Sequence, residues 1–326
     1  MLARLLVSTV AASTVGTHAL LPPPTITEYH IPRAGAFPHD PAVGSDGIVW
    51  YTDQNNSFIG RLDPATGKIT DVPTPTPASG PHGIVVAPDL SVWYTAQRSG
   101  LIGHLDPKTM KITEFKLPAS ASAPHTPLLV GNKVWFTAQT NNTYGVLDPA
   151  TGNVRVFNCP TPRSLPYGMR LAPDGHVWIS LFGTNKLGRV DTASGAIKEF
   201  VIPNDDARPR RIEVAPNGLA YYTDYARGYL GSLDPRTGKF SEWKSPGGER
   251  SAPYGIAFAP DGRIWYDESG NNQMVGFDPS TSKMVTVKIP TSGSVVRNVS
   301  VDSKRRIIWL AESGIQRIGK LELDAP

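Results

Sequence analysis

Seven segments of this chain share one pattern, and a single position in that pattern is rich in groups that move or stabilise charge. In chain order these pivot residues are His39, His82, His125, Tyr167, Arg210, Tyr254 and Arg297, spaced by 43, 43, 42, 43, 44 and 43 residues. Imidazoles exchange protons near neutral pH, and guanidiniums and phenols stabilise negative charge as it develops. Acids follow an aromatic strand in four of the seven segments: Asp53, Asp224, the pair Asp267 and Glu268, and Glu312. If all seven pivots surround one opening, histidines line one side and arginines with carboxylates the other, which suits proton transfer across a bound molecule. The catalytic candidates are therefore His39, His82 and His125, with His82 foremost because histidines flank it on both sides. Tyr167, Arg210, Tyr254 and Arg297 are candidate substrate-binding groups. Asp53, Asp224, Glu268 and Glu312 are candidate oxygen ligands for a metal such as magnesium. Other uses of the same residues stay open. Three imidazoles also suit a zinc-type site. The acids also suit pairing with Arg210, Arg211 and Arg297 around a solvated mouth, and Arg170 with Glu213 reads as a structural ion pair.

These residues need a scaffold that repeats. The segments PHDPAVGSDGIVWYT, PHGIVVAPDLSVWYT, PHTPLLVGNKVWFT, PYGMRLAPDGHVWIS, PRRIEVAPNGLAYYT, PYGIAFAPDGRIWYD and VRNVSVDSKRRIIWLA are seven versions of one unit. A period near 43 residues with several short strands per unit is the signature of a β-propeller, because one such sheet cannot bury both faces alone. Each unit supplies an apolar strand after the pivot, then a strand with an aromatic pair such as Trp93 and Tyr94. A third strand follows, like 59–62, and a turn such as 63–67 leads to a fourth. The aromatics are expected to fill the space between blades. The last unit stops after its third strand at 318–323, whereas the chain begins with a spare fourth-type strand at 26–32. Pairing the two removes an exposed edge. The expected fold is all-β, a seven-bladed propeller of four-stranded blades closed by its N-terminal strand.

Composition fits this architecture and excludes others. Gly and Pro number 31 each, as many tight turns require. The formal charge of +4 is spread without a run of like charges, so nucleic acid is not an expected partner. Residues 1–19 combine Arg4, an apolar stretch and small residues at Thr17 and Ala19, the pattern of a cleaved secretory signal. Residues 20–326 are then one domain, expected to be secreted and monomeric; the alternative is an uncleaved leader on an intracellular enzyme. No later stretch is long and apolar enough to span a bilayer. The lone Cys159 forms no internal disulfide and reads as a small residue ending an outer strand. Sequons start at Asn55 and Asn141. Gly-rich phosphate loops, Gly-x-Ser-x-Gly and His-Glu-x-x-His are absent.

The segment PHGIVVAPDLSVWYTAQRSGLIGHLDPKTMKITEFKLP, residues 81–118, resembles a repeat of the streptogramin B lyase (virginiamycin B lyase) family. It shares the Pro-His or Pro-Tyr-Gly-Ile start, the Val-Trp-Phe/Tyr-Thr strand, the Ile-Gly-Arg strand and the Ile-Thr-Glu-Phe outer strand. The resemblance covers nearly everything after Pro24. It implies a seven-bladed propeller that opens cyclic depsipeptides by elimination, with Mg2+ in the central face. It also implies working histidines after Pro on two consecutive blades, where this chain has three. The glutamate that the family places two residues before the second histidine falls here on Gly80 or Ala123, and its further acid on Ala96-Gln97 or Ala138-Gln139. These departures imply a changed reaction on a small natural product: elimination, isomerisation or cyclisation, of the kind found in secondary metabolism. In it His82 or His125 would abstract a proton while Arg210, Arg297 or a metal steadies the enolate. The alternative is a non-catalytic propeller that binds a ligand or protein on the same face.

Overall fold

A computed structural model describes residues 24–323; the signal reading of 1–19 lies outside them. It contains seven four-stranded antiparallel sheets arranged as blades around a central channel. The innermost strands are Pro38–Val43, Pro81–Val86, Pro124–Val130, Pro166–Leu171, Pro209–Val214, Pro253–Phe258 and Val296–Asp302, and the seventh lies against the first. No helix among the described residues is long and apolar enough to cross a membrane.

The aromatic pair holds the ring because neighbouring strand residues face opposite sides of a blade. The first aromatic packs toward the next blade and the second toward the previous one. Trp50 thus shares a cluster with Tyr94, Trp93 with Phe136, and Trp178 with Tyr222. Tyr51 meets Trp309 of blade seven in the cluster that seals the ring. The repeated glycine of the third strand follows from the same pair. Gly60 lies opposite Tyr51 and Gly103 opposite Tyr94, and a Cβ at either position would fall inside the tyrosine ring.

Closure follows the expected pairing. Thr25–His30 adds to Arg317–Glu322 in antiparallel register, Thr25 opposite Glu322 and His30 opposite Arg317. The strand stops short of Pro32, and the Ile31 N–H instead donates to the Gln316 carbonyl at 3.0 Å. Glu28 then makes a bond that other blades repeat: it accepts from the Thr291 N–H at 2.9 Å and hydroxyl at 2.6 Å, as Glu199 does from Thr161 at 3.1 and 2.5 Å. The N-terminal strand is therefore the full equivalent of a fourth strand.

Candidate functional site

Every innermost strand carries a bulge at the pivot. In blade one Pro38 pairs with Asp53 and Pro41 with Tyr51, which leaves both His39 and Asp40 opposite Thr52 alone. The same shift occurs in the other six blades. A bulge breaks the period-2 alternation and leaves one N–H without a ladder partner. The Thr52 hydroxyl takes that N–H from Asp40 at 3.1 Å and donates to the His82 carbonyl of the next blade at 2.7 Å. Thr95, Thr137, Ser180 and Thr223 repeat this lacing, so the pivots are held at backbone level by a ring of hydroxyls. Asp267 replaces the hydroxyl in blade six; it accepts from the Gly255 N–H at 2.6 Å, and burial pushes its carboxyl up to about 7.

The pivots meet as a packed ring. The imidazoles of His39, His82 and His125 follow one another at centroid distances of 3.9 and 3.9 Å, and Tyr167 continues the row at 3.8 Å. Only 4%, 3% and 1% of the three histidines is exposed. Burial is the main cause that lowers all three below the ordinary histidine range, furthest for His82 and His125, where a neighbouring imidazole and the arginines add to it. Across the ring the Tyr167 and Tyr254 hydroxyls hydrogen-bond each other. Arg210 stands over Tyr254 at 3.9 Å, Tyr225 at 4.2 Å, Phe182 at 5.0 Å and Tyr167 at 5.3 Å. Arg297 lies over Phe37 at 5.6 Å.

A second layer lies one residue further along the strands, and sequence reasoning missed most of it. Asp40 accepts from Arg211 at 2.8 and 3.1 Å, from Asn298 at 2.9 Å, and bonds His39 Nδ1 at 2.8 Å. Burial alone would raise the Asp40 carboxyl, but Arg211 and His39 outweigh it and hold it well below the usual carboxylate range. Arg211 also reaches Thr126 Oγ1 at 3.4 Å, and Thr126 Oγ1 lies 3.0 Å from His125 Nδ1. This layer reads Asp40, Gly83, Thr126, Gly168, Arg211, Gly255, Asn298 around the ring. A Cβ at Gly168 would sit 3.0 Å from Arg211 Cα, and one at Gly255 the same distance from Asn298 Cα. Alternating glycines beside the pivots were the available signal. Below this layer Arg170 and Glu213 form the expected ion pair at 3.0 Å.

The contact with Asp40 assigns one imidazole tautomer. Asp40 is ionised, so His39 Nδ1 carries the proton toward it and Nε2 keeps a lone pair. Thr126 can accept from Arg211 and still either donate to His125 Nδ1 or accept from it. His82 Nδ1 has no partner among the described residues.

Toward the mouth where the strands begin, here the upper mouth, the next layer is amide and aromatic. Gln54, Gln97 and Gln139 link through side-chain bonds of 3.4 and 3.5 Å, and Phe182 and Tyr225 continue the layer beside Arg210.

The four candidate metal-binding acids are buried in their own blades. Asp53 is engaged by Arg33, Phe37 N–H and Asn56, and Asp224 by Arg227 and Arg208 N–H. Glu268 accepts from Gly247 N–H at 2.9 Å and Gln273 Nε2 at 2.5 Å. Both Glu312 oxygens lack a partner among the described residues, and burial pushes this carboxyl up to about 8. The group whose ligand atoms do converge is His39, Asp40 and His82, within 4.8 Å of one another. That donor set does not fit magnesium. Two of its donors are nitrogens, whereas Mg2+ requires oxygens, and its carboxylate is already held by a guanidinium.

The virginiamycin B lyase family model matches residues 5–248. A streptogramin B lyase structure superposes with a TM-score of 0.84 at 25% identity, covering 92% of this chain and 98% of that one. The virginiamycin B lyase of Staphylococcus aureus gives 0.84 at 26%, covering 92% and 99%. Its catalytically inactive histidine-to-alanine variant with quinupristin gives 0.85 at 25%, with the same coverage. Hydrazine synthase of Kuenenia stuttgartiensis, at 15% identity and a TM-score of 0.75, shares the fold alone. No curated protein matches. With the family matched across most of its length and seven complete blades, the chain belongs to the virginiamycin B lyase family.

Proposed function

We propose that this protein is a lyase-type enzyme that binds a small natural product at the upper mouth and moves a proton on it by imidazole acid/base chemistry. The observation that carries this reading is the His39 imidazole oriented by the buried Asp40 carboxylate at the head of a row of three pivot histidines. His39 presents a bare Nε2 able to take a proton next to a carbonyl, and the imidazolium so formed can return that proton to the leaving group. Burial keeps this imidazole neutral near pH 7, as a general base must be. Tyr167, Arg210, Tyr254 and Arg297 complete the mouth as substrate-binding groups, and Arg210 and Arg297 are placed to steady an enolate. The imidazoles are almost fully buried, so substrate contact requires the weakly bonded glutamine row to part.

That near-complete burial favours a second reading, a propeller that binds without turnover. Quinupristin in heavy water separates the two. Elimination opens its ring without a change in composition, hydrolysis would add one water, and proton abstraction alone would place deuterium beside a carbonyl. Ring opening or deuterium uptake that disappears in His39→Gln supports the enzyme. Neither event in the wild-type protein, with binding retained, leaves the scaffold reading.

A further inference from the structure

We infer that the molecule held at the upper mouth is an organic acid, bound through a carboxylate between Arg210 and Arg297; this rests on the mouth being the ligand site proposed above.

The charges of the channel do not balance. Four arginines reach it; Glu213 pairs with Arg170 and Asp40 with Arg211. Arg33, Arg227 and Arg317, half-buried near the strand ends, each hold a carboxylate: Asp53, Asp224 and Glu28. Arg210 and Arg297 hold none among the described residues. The one hydrogen bond of the Arg210 guanidinium is Nε to the Tyr167 hydroxyl at 3.3 Å, so both terminal nitrogens are free. The Arg297 side chain makes no hydrogen bond to any described residue, and its Nε is buried without a partner. The surrounding groups supply little of the missing negative charge. Asp53, Asp224 and Glu268 are engaged in their own blades, burial pushes Glu312 up to about 8, the histidines are neutral and the glutamine row is uncharged. Asp267 acts on Arg210, but burial pushes its carboxyl up to about 7 and it is bonded to the Gly255 N–H and the Ser269 hydroxyl.

Two partly desolvated guanidiniums without a counter-ion are costly unless a ligand supplies one. The site is also shaped to receive it. Four aromatic rings fix the plane of Arg210, so its two free nitrogens form a preset fork that matches a carboxylate bidentately. Both cations act on the imidazoles, Arg297 on His39 and Arg210 on His82 and His125, so an anion between them lies beside the proposed proton-transfer groups. The rings beside the two guanidiniums are Phe37, Phe182, Tyr225 and Tyr254. An apolar body bearing a carboxylate suits these rings better than inorganic phosphate does.

Calorimetric titration with benzoate, benzamide and inorganic phosphate tests this without requiring turnover. Benzoate is expected to bind about tenfold or more tighter than its neutral isostere benzamide, and to weaken as salt rises. Arg210→Gln and Arg297→Gln should each weaken benzoate about tenfold and leave benzamide unchanged, with Arg210→Lys intermediate because it keeps the charge but not the fork. Arg297 packs against fewer rings, so its variant keeps the test valid if Arg210→Gln unfolds. Equal binding of benzoate and benzamide, no benzoate binding, phosphate bound in preference, or benzoate binding indifferent to both variants overturns the inference. Turnover of quinupristin, which carries no carboxylate, unaffected by Arg210→Gln would remove the charge requirement and leave the proton-transfer reading standing. Arginine-dependent benzoate binding in a protein without turnover would do the reverse.

Discussion

Arg211 of blade five donates two hydrogen bonds across the channel to the Asp40 carboxylate of blade one, at 2.8 and 3.1 Å, with both side chains buried. This pair ties opposite sides of the ring together and fixes the tautomer of His39 beside it. Removing one partner leaves the other charge buried and uncompensated, so Asp40→Asn or Arg211→Met alone is expected to cost about 3–5 kcal/mol. The double variant Asp40→Leu with Arg211→Met should lose less than the sum of its single changes. Urea melts of the four proteins measure the difference; strict additivity would deny the coupling.

For turnover, His39→Gln is expected to lose about a hundredfold in kcat with little change in melting temperature, and His82→Gln and His125→Gln to lose less. Histidines on both sides point to His82 from sequence, but the structure gives the orienting carboxylate to His39. Because burial lowers the His39 pKa, the acid limb of the rate profile should fall below the ordinary histidine value near 6.5. A limb at or above that value would assign the base elsewhere.

Glu312 and Asp267 make stability depend on pH in the opposite sense to most carboxylates. Their folded pKa values, about 8 and about 7, lie above their ordinary values of 4.5 and 3.8. The folded state therefore binds more protons between those limits, and stability present at low pH is lost as pH rises through the folded values. The three histidines act the other way, since their lowered values cost stability as pH falls below about 6.5. Glu312→Gln should flatten the decline in melting temperature between pH 4.5 and about 8, and Asp267→Asn that between pH 3.8 and about 7. A decline unchanged in both would place its origin elsewhere.

Ring closure depends on a short strand. Deleting residues 24–31 exposes the Arg317–Glu322 edge and should cause aggregation visible by light scattering. Glu28→Ala removes the bonds to Thr291 and Arg317 and should cost about 1–3 kcal/mol in a urea melt. A truncated protein that melts with the full chain would mean that the seventh blade closes without it.

Chelation addresses the magnesium implied by the family. With Asp40 held by Arg211, and Asp53, Asp224 and Glu268 engaged in their own blades, exhaustive EDTA treatment is expected to leave ligand binding and turnover unchanged. Activity lost to EDTA and restored by magnesium would point to ligands supplied partly by the substrate.

The propeller was legible in the chain because its determinants are local and repeated. The 43-residue period, the aromatic pair of which Trp50 and Tyr51 are one copy, the glycine beneath the second aromatic and the spare strand at the N-terminus all act between near neighbours or identical units. The pivot ring was legible for the same reason, since seven equivalent positions must share one radius and height. The meaning of the next position was not. In a regular strand Asp40 and Arg211 would point away from the pivots, but the bulge turns both inward. Only the closed ring then brings together two residues 171 positions apart. The same holds for the fates of the acids. Asp53 and Asp224 look alike in sequence and each finds an arginine, whereas Glu312 finds none and keeps its proton, because charge is settled by the groups that surround a side chain after folding.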